Sequence, residues 1–158
     1  MALQFGTSTA LTITASSLAG GANRSSSAVT TGTSNNVAQI LCTVNCLTTS
    51  TAPSGNKQIV VYAYKSEDGT NYLGYSSTVD NVDGTDKALT AIGSPSALTL
   101  LGTIPLAQGA VAVTTRGVFE ITGALGGVFP KWGIVLFNDS GTALGATVTA
   151  TYREVYYT

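Results

Sequence analysis

Histidine is absent from this chain of 158 residues, and charged side chains make up only 9% of it. Without histidine the commonest general base and the commonest zinc ligand are missing, which removes most familiar catalytic constellations. Seven basic and eight acidic residues nearly cancel to a net charge of −1 and are scattered along the chain. That leaves no dense positive stripe of the kind nucleic acid or anionic lipid requires, so neither is expected as a direct partner. No apolar run approaches the roughly 18 residues of a membrane-spanning helix. The two cysteines, Cys42 and Cys46, are too few for a disulfide scaffold and lack the second ligand pair of a zinc site. The opening Met1-Ala2-Leu3-Gln4-Phe5 has no basic region and no continuous apolar stretch, so an export signal is not expected.

Hydroxyls and β-branched side chains take the place of charge. Thr (25) and Ser (15) supply a quarter of the sequence, and hydrophobic residues supply 44%. Such a chain can fold around a core while covering much of its surface with uncharged polar groups. Val (14), Ile (7) and Thr together favour pleated strands over helices. Strand candidates recur between turn signals at residues 10–15, 36–48, 58–66, 97–104, 111–115, 118–122, 133–138 and 146–157. No intervening segment of helical length has a 3.6-residue apolar period; only a short helical turn near 87–92 is entertained. The expectation is an all-β fold: one antiparallel β-sandwich spanning residues 1–158, jelly-roll-like in winding, with residues 1–36 as a loop-rich arm outside the central core. The runs Ser66–Asn71 and Asn138–Gly141 are hairpin candidates, with Gly for positive φ and Asp or Asn to bond nearby backbone.

The clearest alternation lies in residues 36–48, where Ala38, Ile40, Cys42, Val44 and Cys46 share one face. Four residues of extended chain separate the Cα atoms of Cys42 and Cys46 by roughly 13 Å, beyond the reach of a disulfide, so both are expected as buried free thiols. Asp80, Asp83 and Asp86 gather three acids in seven residues. Their spacing departs from the EF-hand, and a solvated turn is expected in preference to a metal site. Glu120 and Glu154 are the only acids within predicted strands and form the one candidate carboxylate pair for glycoside hydrolysis; strand parity favours a plain solvated face for Glu120. Gly20-Gly21 and Gly126-Gly127 lack the following Lys-Ser/Thr of a phosphate loop and read as loop glycines. Asn23-Arg24-Ser25 and Asn138-Asp139-Ser140 match the glycosylation pattern, as chance allows in so Ser- and Thr-rich a chain. No catalytic residue, cofactor or metal is expected.

Phe129, Trp132, Tyr152, Tyr156 and Tyr157 cluster in the C-terminal third and are the candidate partner interface, although core packing is the default for Trp132. Three stretches carry a family likeness: Val60-Val61-Tyr62-Ala63-Tyr64 leading to Asp68-Gly69-Thr70-Asn71-Tyr72, then Phe129-Pro130-Lys131-Trp132-Gly133-Ile134-Val135, then Ala150-Thr151-Tyr152-Arg153-Glu154-Val155-Tyr156-Tyr157. The chain resembles the small virion structural proteins of tailed bacteriophages and is most similar to head decoration or cement proteins. These motifs are patterns of strands and turns, so no functional residue is carried over. The resemblance implies a non-enzymatic protein assembled in the host bacterial cytoplasm and seated on the capsid exterior. Bridging of major capsid proteins is the expected role, and a homotrimer the expected assembly, since closed symmetry shields sheet edges. Two alternatives stand beside it: a carbohydrate- or receptor-binding sandwich, and a neck or tail protein of the virion.

Overall fold

The computed structural model describes residues 2–32, 36–49, 51–72, 81–90, 92, 98–106 and 112–158. Four short strands come first: β1 (Leu3–Phe5), β2 (Thr9–Leu11), β3 (Asn23–Ser25) and β4 (Val29–Thr30). Six longer ones follow: β5 (Asn36–Thr48), β6 (Gln58–Ser66), β7 (Thr99–Pro105), β8 (Thr114–Glu120), β9 (Lys131–Asn138) and β10 (Leu144–Tyr157), with one helix, α1 (Ile121–Leu125), between β8 and β9. The first sheet runs β1-β10-β5-β8, with β2 also on β10; the second runs β3-β9-β6-β7, with β4 also on β9. All pairings are antiparallel. The expected all-β sandwich is therefore present; the strand orders do not establish a jelly-roll winding.

Alternation decides which side of each strand meets the core. In β5, Ile40, Cys42, Val44 and Cys46 are buried while Leu41, Thr43 and Asn45 are only partly covered. Ile59, Val61 and Ala63 of β6 face them with Trp132, Ile134 and Leu136 of β9 in one hydrophobic cluster. A fully buried aliphatic side chain contributes about 1.5–3 kcal/mol, so this layer dominates the folding free energy. Cys42 and Cys46 belong to it as free thiols, and burial pushes both up to about 12. Neither should react with a thiol reagent at pH 8 while the fold is intact, and both should titrate once it is denatured. Rapid labelling of the native chain would contradict the inward register of β5.

Several sequence expectations change in three dimensions. The segment before β5 is loop-rich, but it is not separate from the core: Leu11 and Ala15 are buried in the central cluster, and β1 to β4 line the margins of both sheets. Of the two strands expected at 111–115 and 118–122, residues 114–120 form one strand, β8, and 121–122 open the helix instead, while Val111 lies outside the described residues. Gly117 lets β8 pass close to β7, because a Cβ there would lie 2.7 Å from Ile104 Cγ1. Glu120 starts α1 by accepting hydrogen bonds from Thr122 N and Gly123 N, and Gly126 ends it at φ 81°. Residues 87–90 form no helical turn; they run beside β3, with Lys87 O accepting from Ser25 N. Ala91 lies outside the described residues.

Neither hairpin candidate is the tight turn of a two-strand hairpin. Asp68 does close a turn, with Oδ1 accepting from Thr70 N and Asn71 N at 2.8 and 2.7 Å, but among the described residues the next strand, β7, which pairs with β6, starts only at Thr99. Asn138–Gly141 connects β9 in one sheet to β10 in the other. Asn138 is fully buried there, and its side-chain amide donates to Leu18 O and Thr142 O, each at 2.8 Å. A buried amide with both protons engaged pins the corner between sheets, and it is no acceptor for a glycan in the folded chain. Asn23 of the other pattern is likewise tied to Leu89, donating to its carbonyl and accepting from its N–H.

Candidate functional site

Among the described residues, the candidate catalytic and metal-binding carboxylates are engaged with their own chain. Glu120 caps α1, and Glu154 Oε1 accepts from Gly32 N at 2.8 Å. Glu120 stands opposite Leu41, whereas Glu154 stands opposite Ile40. Because directly paired residues share a face and successive residues alternate, the two carboxylates project to opposite faces of the sheet and are not brought together.

Asp86 holds three segments together, accepting from Thr14 N at 2.8 Å, Thr14 Oγ1 at 2.5 Å and Arg24 Nε at 2.5 Å. Asp83 accepts from Thr85 and from Lys87 Nζ at 2.7 Å. Burial alone would raise its carboxyl, but the Lys87 and Thr85 hydrogen bonds and the Lys87 charge outweigh that and hold it at about 2. Asp80 lies outside the described residues. A carboxylate held below its unfolded value stabilises the fold above that value, 3.8 here, and the contribution disappears as pH falls towards about 2. Melting temperature should therefore drop between about pH 4 and 2, and Asp83→Asn should flatten part of that fall. An unchanged acid limb in the variant would remove Asp83 from the acid response.

The five candidate interface aromatics do not form one surface. Trp132 is 0% exposed and sits in the core, which corrects its place among the interface residues. Tyr152 meets it edge-on, with ring centroids 5.5 Å apart and planes at 86°. Phe129 is half-buried beneath the Lys65 ammonium, 3.9 Å from the ring centroid. Tyr152 and Tyr156 line a small polar depression of about 280 Å³ together with Glu154 and Thr9. Only Tyr157 is largely open, and it stands opposite Leu3.

An open apolar surface lies on the outer face of the first sheet. Seven large hydrophobic side chains are exposed among the described residues, and Leu3 (50%), Phe5 (60%), Val118 (56%) and Tyr157 (45%) are four of them. The register brings these four onto one face. Leu3 and Phe5 pair with Tyr157 and Val155, Thr43 pairs with both Thr151 and Val118, and Leu41 pairs with Arg153. A shallow groove of about 420 Å³ runs across this face over Thr43, with Phe5, Leu41 and Val118 as its apolar lining and Arg116 and Arg153 beside them. Both arginines are exposed, and among the described residues neither has an ion-pair partner.

Sequence reasoning did not select this face. Its signal was the shared parity of Arg116 with Val118, and of Arg153 with Thr151, but only the placement of β5 between β8 and β10 puts them side by side. No helix among the described residues is long and apolar enough to cross a membrane. Comparison with protein-family models, with curated proteins and with solved structures found no match.

Proposed function

We propose that the chain is a non-enzymatic structural protein of a bacteriophage virion. In this reading it decorates the capsid exterior as a homotrimer and stabilises the shell by bridging major capsid proteins. The observation that carries an interaction role is the gathering of Leu3, Phe5, Val118 and Tyr157 on one open sheet face. A surface of that shape suits broad contact with another protein better than enclosure of a small substrate. The virion itself is supported by the likeness of the β6, β9 and β10 sequences to phage head decoration proteins. The trimer is supported by the terminal strands β7 and β8, whose outer edges closed symmetry would shield.

Particles prepared without this protein should assemble but release their genome at lower temperature, and added protein should restore them at many sites per particle. Placement only at the portal vertex or tail would exclude the cement role and favour a neck or tail protein. A second reading, a carbohydrate- or receptor-binding module, is favoured by one feature, the polar depression where Tyr152 and Tyr156 meet Glu154. Saturable glycan binding that is lost in Tyr156→Ala would select it.

A further inference from the structure

We propose that the outer face of the first sheet docks a protein partner that presents carboxylates beside aliphatic side chains. The inference rests on the reading of the chain as an interaction protein and names the chemistry of the surface it meets.

Of the three arginines, Arg24 is committed to Asp86. The other two, Arg116 and Arg153, both lie on this face. The acids of the same strands are engaged with backbone: Glu120, on this face, accepts from the N–H groups of α1, and Glu154, on the opposite face, accepts from Gly32 N. The face therefore carries two arginines without an ion-pair partner among the described residues, against the single carboxylate of Glu120, in a chain whose net charge is −1. Guanidinium groups are weakly hydrated and bind carboxylates in a two-pronged geometry, so their partners of choice are Asp and Glu.

Between the arginines the surface is apolar or hydroxylic: Phe5, Leu41 and Val118 over Thr43. Covering the aliphatic groups favours association, and the carboxylates add charge complementarity. Arg116 stands opposite Asn45 and Arg153 opposite Leu41, on opposite sides of β5. That spacing is about 13 Å along the strand and about 10 Å across the sheet. A partner strand with acidic residues four positions apart matches the longer dimension.

A second copy of this chain fits poorly. Face-to-face packing would bring four arginines together against Glu120 side chains already used as helix caps, and like charges in a desolvated contact oppose binding.

The test uses the full chain labelled with nitrogen-15 and three probes at millimolar concentration. One is a synthetic peptide of alternating apolar and polar residues with glutamates four positions apart. The second is the same peptide with lysines, and the third is an oligoglucuronate, which offers carboxylates without aliphatic side chains. The glutamate peptide should shift amides of Leu41, Thr43, Arg116, Val118 and Arg153. Its affinity should fall at least about tenfold in R116E/R153E, and that variant should bind the lysine peptide instead. Both positions are exposed, so an unchanged amide spectrum and melting temperature will show that the variant is folded. Absence of shifts overturns the proposal. Equal binding of oligoglucuronate overturns it in favour of a glycan, and concentration-dependent broadening of the same amides without peptide overturns it in favour of a second copy.

Particles separate this inference from the capsid role. Equal rebinding by wild type and R116E/R153E would overturn this docking face while leaving the capsid reading in place. Peptide binding that behaves as expected, with no wild-type binding to particles, would support the face and remove the capsid.

Discussion

Replacing Trp132 with alanine should lower the folding free energy by about 3–5 kcal/mol, the range for emptying a large aromatic site in a packed core. Trp132 is fully buried in the layer that also holds Ile134 and Leu136, and Tyr152 packs edge-on against it. The cavity would open between the two sheets, each stiffened by its own hydrogen-bonded ladder, so they can close on it only in part. Single domains are stable by only about 5–15 kcal/mol, so the variant should melt far below the wild type or fail to accumulate.

A milder substitution separates volume from polarity. Trp132 Nε1 is buried and has no hydrogen-bond partner among the described residues. Phenylalanine removes that donor and keeps most of the ring, so Trp132→Phe should cost less than about 2 kcal/mol. Chemical denaturation of the two variants measures both losses. An alanine variant within about 1 kcal/mol of wild type would mean that the core does not depend on this ring.

Gly133→Ala should have the next largest effect, and by the opposite mechanism. Tyr64 of β6 stands directly opposite Gly133 of β9, and its ring lies over the glycine. A Cβ at 133 would come within 2.3 Å of the ring carbon Cζ and of the hydroxyl oxygen. The ring has little freedom to withdraw, because Tyr64 is 3% exposed and its hydroxyl donates to Ser26 O at 2.7 Å. Burial also pushes that hydroxyl above its ordinary pKa, despite the opposing hydrogen bond to Ser26, so it remains a neutral donor across the physiological range.

Overpacking of this kind costs about 1–3 kcal/mol and sometimes more. Tyr64→Ala should be strongly destabilising by itself, yet adding Gly133→Ala to it should cost little further, since the clash is gone. A double-mutant cycle should therefore show coupling of about 1–3 kcal/mol. Simple additivity would show that the ring does not occupy the space above Gly133.

Short-range pattern alone was sufficient for β5 and β6, whose expected and observed limits coincide at Asn36–Thr48 and Gln58–Ser66. In both, apolar residues line the side that meets the core, and the pleat turns that sequence pattern directly into burial. The buried free thiols of Cys42 and Cys46 follow from the same period. The helix at Ile121–Leu125 was hidden because Ile121 and Thr122 favour strands locally. What holds it is tertiary: Thr122 Oγ1 accepts from the buried Ile40 N at 2.9 Å, and both Ile121 and Leu125 are buried.

Strand partners were equally out of reach, because alternation assigns a side chain to a face without saying which strand lies beside it. Asn138–Gly141 has the composition of a hairpin turn but links two sheets, as the buried bonds of Asn138 to Leu18 and Thr142 require. Trp132 and Tyr157 are both aromatic in sequence, and only packing puts one at 0% and the other at 45% exposure. Composition determined a β-rich chain with few charges, and local alternation its buried apolar stripe. The sheet order determined the rest: pairing between residues up to more than a hundred positions apart, such as Leu41 with Arg153, is set by global closure of the two sheets, and it is this pairing that assembles the arginine-flanked face.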